Sequence, residues 1–285
     1  MALALAADIA EKLAGLEGLV AIALGGSVAT GRADETSDID IGLYYRPTHP
    51  FDLDELNRLI RLIDDRRAGG LATGFGDWGP WVNGGAWLQV RGRRVDLIYR
   101  DLDRVRAAIE ECRAGRVPIS FQVGHPASYS PQIYAGEIAL CRPLEDPQGA
   151  ITALKSLTRP YPAALRRALV DGLWEADFLV KGAASAAARG DVYFVAGVAH
   201  RTIACLVQAL FAVNERYWTH EKGAVELIDS LAIRPADFSN RVRRAMGQLG
   251  TEPLELTGSL GRLRELHDET VILCERALSI SSKEG

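Results

Sequence analysis

The sequence predicts an α+β protein in which strands and helices alternate up to about residue 147 and helices alone follow. Three observations carry this. Apolar runs at 19–24, 39–45 and 95–99, each bounded by glycine or polar residues, read as strands. Beyond 147, apolar positions recur at helical spacing with no strand signal. Between these regimes Pro118, Pro126, Pro131, Pro143 and Pro147 mark a connection crossing between two bodies. The expected domains are therefore 1–147, including the crossing segment 118–147, and 148–285, as a chain of 285 residues would favour.

Each element has its own justification. The N-terminal run from Met1 lacks the basic flank of a leader, and Asp8, Glu11 and Lys12 continue it as an amphipathic helix. After the first strand, Gly25 and Gly26 permit a tight turn, and Ser27 is expected to cap a short helix. Residues 52–63 carry an acidic start and helical apolar spacing. The glycine-rich stretch that follows holds Trp78, Trp81 and Trp87, which either line a ligand as an aromatic wall or pack beneath the sheet. A hairpin should pair 86–91 with 94–100 across Arg91-Gly92-Arg93, and helices should occupy 101–115 and 132–139. The C-terminal region divides into helices at 148–157, 161–188, 191–214, 221–231, 236–249 and 253–279, which would form a bundle. Gly190 closes one of these and Asp191 caps the next, and Ser279 to Gly285 reads as a loose tail.

The chemistry concentrates near the N-terminus. Leu24-Gly25-Gly26-Ser27 is a strand followed by a turn whose amides suit an anion. Eleven residues after Ser27, Asp38 and, two further on, Asp40 stand beside Ile39, Ile41 and Leu43, so strand periodicity puts both carboxylates on one face. Paired hard oxygen ligands beside a phosphate cradle are what a magnesium-nucleotide site requires. Asp96 interrupts a later β-branched run, where an unpaired aspartate would be costly unless a metal or a reacting hydroxyl accounts for it. A solvated strand end is the plainer alternative for that residue.

Gly26-Ser27, Asp38-x-Asp40 and Asp96 together resemble the signature of the DNA polymerase beta-type nucleotidyltransferase superfamily, over roughly residues 15 to 100. Within it the chain is most similar to small bacterial members such as the aminoglycoside and lincosamide nucleotidyltransferases. The resemblance implies a mixed-sheet catalytic domain and an α-helical acceptor-binding domain. It also implies transfer of a nucleoside monophosphate, with ATP as the default donor, to a hydroxyl of a small molecule. Asp38 and Asp40 would hold Mg²⁺, and Asp96 would complete the metal site, take the acceptor proton, or do both. Gly26 and Ser27 would grip the triphosphate. Arg32 is either a further phosphate contact or a solvated loop arginine. By context with these relatives Lys222 would reach the triphosphate, its alternative being a solvated helix-start lysine. Glu221 is a second candidate base, Tyr193 and Tyr217 candidate pocket residues, and His125 either approaches the acceptor or is satisfied by backbone groups.

Composition narrows the partners. A net charge of −4 argues against a nucleic-acid polymerase, which needs a basic track. Hydrophobic content of 48% and charged content of 25% are ordinary for a globular enzyme, and no spanning segment is evident, so the expected setting is the cytoplasm with no membrane partner. Cys112, Cys141, Cys205 and Cys274 are too scattered for a zinc or disulfide framework. The competing readings are a nucleotide-binding regulatory or partner-binding module without turnover, as in toxin–antitoxin-like pairs, AMPylation of a protein, and a purely structural α/β domain. Acceptor identity and oligomeric state are not written in these residues.

Overall fold

The computed structural model describes residues 2–281, so the tail beyond, part of the expected loose segment, lies outside the described residues. Residues 279–281 belong to the last helix instead. Packing divides the chain into two units. The first comprises the chain up to Glu111 with Ile119–Gly124 and Ser128–Pro160; the second comprises Cys112–Pro118, His125–Ala127 and the chain from Tyr161 onward.

The first unit contains α1 (Ala2–Leu13), β1 (Leu19–Leu24), α2 (Gly26–Thr30), β2 (Ile39–Tyr45), α3 (Leu53–Ile63), β3 (Gly85–Val90) and β4 (Arg93–Asp101). The remaining elements up to Pro160 are α4 (Leu102–Arg113), whose last residues belong to the other unit, α5 (Pro131–Leu140), β5 (Arg142–Glu145) and α6 (Ala150–Leu157). Five strands form one mixed sheet in the order β3-β4-β2-β1-β5. β2 and β4 run parallel; the other neighbours are antiparallel. The parallel register sets Ile39, Ile41 and Leu43 beside Val95, Leu97 and Tyr99, all fully buried. This face meets Leu5, Ile9 and Leu13 of α1 and Leu56 and Ile60 of α3, forming the core of the unit. Period-two alternation sends Asp40 and Asp96 to the other face.

Local chemistry explains the boundaries. Asp52 caps α3 by accepting from the Glu55 N–H at 2.7 Å. The β3–β4 hairpin turns on Arg91 and Gly92, both at positive φ (51° and 74°), as a two-residue primed turn requires. β5, not anticipated from sequence, is a short edge strand against β1 that contains Pro143.

The second unit is helical. Its elements are α7 (Ala163–Asp171), α8 (Leu173–Gly182), α9 (Ala184–Ala188), α10 (Val192–Val213), α11 (Ala224–Ile228), α12 (Phe238–Gly247) and α13 (Pro253–Ser281). α10 packs against α7, α8 and α13 and is the central helix of the bundle. The single helix expected over 161–188 is three, broken at Gly172 and Ala183. Asp191 caps α10 through the Phe194 N–H at 3.1 Å, after Gly190 at φ 74°.

Candidate active site

The site grows from the end of β1. Gly25 continues the ladder by donating to the Asp40 carbonyl at 2.8 Å, and then serves as the N-cap of α2. Gly26 follows at φ +61°, and a Cβ placed there would stand 1.8 Å from Asp40 Oδ2. Only glycine lets the Asp40 carboxylate lie against this turn. Ser27 therefore does not cap the helix, a correction to the sequence expectation: it lies in the first turn, where backbone N–H groups have no intrahelical partner. Arg32 is held just past α2, its N–H on the Ser27 carbonyl at 2.9 Å and its Nε on Thr30 Oγ1 at 3.1 Å.

Asp40 and Asp96 are register neighbours on the parallel strands β2 and β4, so their side chains share a face. Asp38 lies one residue before β2 rather than within it. Arg94 Nε stands 2.5 Å from Asp38 Oδ1, an ion pair although not aligned as a hydrogen bond. The loop before Asp38 is fixed by Asp34, which accepts from Thr36 and Ser37, and by Arg93, which donates to the carbonyls of Glu35 and Ser37.

Electrostatics confirms that these carboxylates crowd one another. Burial pushes the Asp40 carboxyl up to about 6, and the charges of Asp96, Asp38 and Glu137 push the same way against Arg100. Sequence reasoning missed the last two. Arg100 on β4 makes a bidentate pair with Glu137 on α5, both contacts 2.7 Å, on the same face as Asp40. Arg100 lies four register positions beyond the aspartates, and its Glu137 partner is distant in sequence; an arginine inside an apolar strand was the available signal.

The tryptophans do not form one wall. Trp78 stacks on the exposed Trp87 with centroids 4.8 Å apart, and Trp87 is the β3 neighbour of Asp96. Trp81 stacks instead on Tyr129 at 5.1 Å. Lys222 belongs to the second unit, where its N–H donates to His220 Nδ1 at 3.0 Å.

A glycine turn ending one strand is thus laid against a carboxylate that is paired across parallel strands with another. The sequence agrees: residues 6–70 match the nucleotidyltransferase domain family, which supports a nucleotidyltransferase enzyme with that domain at its N-terminus. Among solved structures, a nucleotidyltransferase-like protein from Exiguobacterium sibiricum is similar over 96% of this chain and 77% of that one, with 12% identity and a TM-score of 0.42. No curated protein matches the sequence.

Proposed function

We propose that the chain transfers a nucleoside monophosphate from a magnesium-bound nucleoside triphosphate, with ATP as donor, to a hydroxyl of a small molecule in the cytoplasm. The observation that carries this is the packing of the Gly26 turn onto Asp40 with Asp96 alongside. The donor set fits Mg²⁺, because buried and crowded oxygen ligands, with Asp40 lifted first by burial and then by its neighbours' charges, gain from a hard cation. Asp38, Asp40 and Asp96 would hold it, and its chemistry there is to neutralise charge developing at the α-phosphate.

The chain's own residues do the rest. Gly26 and Ser27 hold the terminal phosphates so that pyrophosphate leaves in line. The acceptor oxygen forms a bond to the α-phosphorus as the bond to pyrophosphate breaks, and its proton passes to Asp96. Arg32 and Lys222 are proposed as further phosphate contacts, Lys222 on the family resemblance alone. The resemblance to antibiotic nucleotidyltransferases suggests an amino-sugar acceptor, which the acidic balance of the chain permits; that balance also speaks against nucleic acid.

The test is thermal unfolding with ATP, GTP, CTP and UTP, with and without Mg²⁺, on the wild type and Asp38→Ala. Ligand binding to the native state must raise its stability. A magnesium-dependent rise with ATP that the variant lacks is the expected result; the absence of any rise would transfer the reading to a module without turnover. With an acceptor identified, Asp96→Asn should retain the rise and lose pyrophosphate release.

A further inference from the structure

His125, His220 and Glu221 lie together in the second unit, next to Lys222 and apart in kind from the all-oxygen set of Asp38, Asp40 and Asp96. One donor atom from each falls within 4.8 Å of the other two. Glu221 Oε2 stands 3.3 Å from His125 Nδ1 and 3.4 Å from His220 Nδ1. A tetrahedral ion bonded at 2.0–2.1 Å separates its ligands by about 3.3 Å, so two edges already have the length that ligation needs. The third edge, between the two imidazoles, is no longer than 4.8 Å, with the rings tilted by 44° and their centroids 5.0 Å apart.

We propose that these three side chains form a binding site for a borderline divalent transition metal, of which Zn²⁺ is the representative. The donor chemistry selects the class: two imidazoles and one carboxylate suit zinc and its neighbours, whereas Mg²⁺ prefers the all-oxygen set of Asp38, Asp40 and Asp96. The carboxylate is pre-oriented, because its other oxygen accepts from the Ala127 N–H at 3.0 Å. Ala127 is itself fixed through its carbonyl, which accepts from Arg201 at 2.9 Å, and Arg201 is held bidentately by Glu175. The site is well screened, with the His125 and Glu221 side chains 9% and 17% exposed and the His220 side chain 38%. His220 Nδ1 accepts from the Lys222 N–H, so that nitrogen presents a lone pair. Ligation takes the lone pair from an N–H at the surface, which passes to water. Three protein ligands leave a fourth position for water or another donor, and the ion would join the 125–127 segment to the turn that bears Lys222.

The experiment uses the full chain, stripped of metal and titrated with Zn²⁺ and separately with Co²⁺ in excess Mg²⁺, in the wild type, Glu221→Gln, His220→Asn and Asp40→Asn. Glu221→Gln keeps an oxygen for the Ala127 N–H and so preserves the local fold, which circular dichroism would verify. Expected are one Zn²⁺ per chain, a strong visible spectrum of four-coordinate Co²⁺, and unchanged binding in Asp40→Asn. Both ligand variants should weaken binding by more than the roughly 10–100-fold that loss of an outer-shell partner costs. Absence of stoichiometric binding, a weak six-coordinate cobalt spectrum, or binding undiminished in Glu221→Gln and His220→Asn would overturn the proposal. Since Asp40→Asn separates the two sites, failure here leaves the nucleotide reading untouched, and the converse holds.

Discussion

Asp40 is where sequence, fold and chemistry meet in one side chain. Its carboxyl is raised from 3.8 to about 6 by burial and by the neighbouring carboxylates. Between those values the folded chain keeps a proton that the unfolded chain has lost, so metal-free stability falls as pH rises from about 4 through 6, by up to about 3 kcal/mol. Asp40→Asn should flatten that dependence, raise the metal-free melting temperature at neutral pH, and abolish the Mg²⁺-ATP shift; a pH series of melting curves checks all three. Gly26→Ala gives a sharper contrast with Gly31→Ala. Both positions have positive φ, but an added Cβ meets the Asp40 carboxylate at Gly26 and nothing within 4 Å at Gly31. Both should lose about 1 kcal/mol from backbone strain, and only Gly26→Ala should lose nucleotide binding, as titration calorimetry would show. The aspartates were legible because Asp40 and Asp96 break apolar runs and Asp38 stands at strand spacing from Asp40. Arg94 beside Asp38 and Glu137 near Asp40 were not, since their placement depends on strand order and on a helix packed from elsewhere in the chain.

Among elements, α5 shows how a helix is ended from a distance. Lys155 on α6 is half-buried and donates to the carbonyls of Ile138, Ala139 and Cys141, between 2.7 and 3.0 Å, at the C-terminus of α5. The cation satisfies groups that no helix can pair internally and lies at the negative end of the helix dipole. Lys155→Met should cost about 1–3 kcal/mol in chemical denaturation, with nucleotide affinity retained once the protein is folded. The elements most visible in sequence had local causes: the Asp52 and Asp191 caps, and the Arg91-Gly92 turn. Those that were missed had remote ones. β5 exists because β1 offers it an edge, and Trp81 leaves the other tryptophans because Tyr129, far along the chain, stacks on it. The break at Gly172 could be anticipated from the glycine, while that at Ala183 sits in an alanine-rich stretch with no local mark.

At the scale of the molecule, each unit has its own apolar core, one beneath the sheet and one around α10. Calorimetry should resolve two transitions. Mg²⁺-ATP is expected to raise that of the sheet unit, and Zn²⁺ that of the helical unit. The change from mixed strands and helices to helices alone was plain in the pattern of apolar residues. The interleaving was not, because Cys112–Pro118 and His125–Ala127 differ in no compositional way from the neighbours that fold with the other unit. That interleaving bears on how such a protein diversifies. A single recombination junction after residue 160 would deliver a helical unit without two of its segments, and without one imidazole of the proposed metal site. If the helical unit selects the acceptor, as the family resemblance implies, new specificities in this architecture should therefore arise by substitution within the bundle, or by exchange of the whole stretch from residue 112 onward, rather than by swapping C-terminal cassettes.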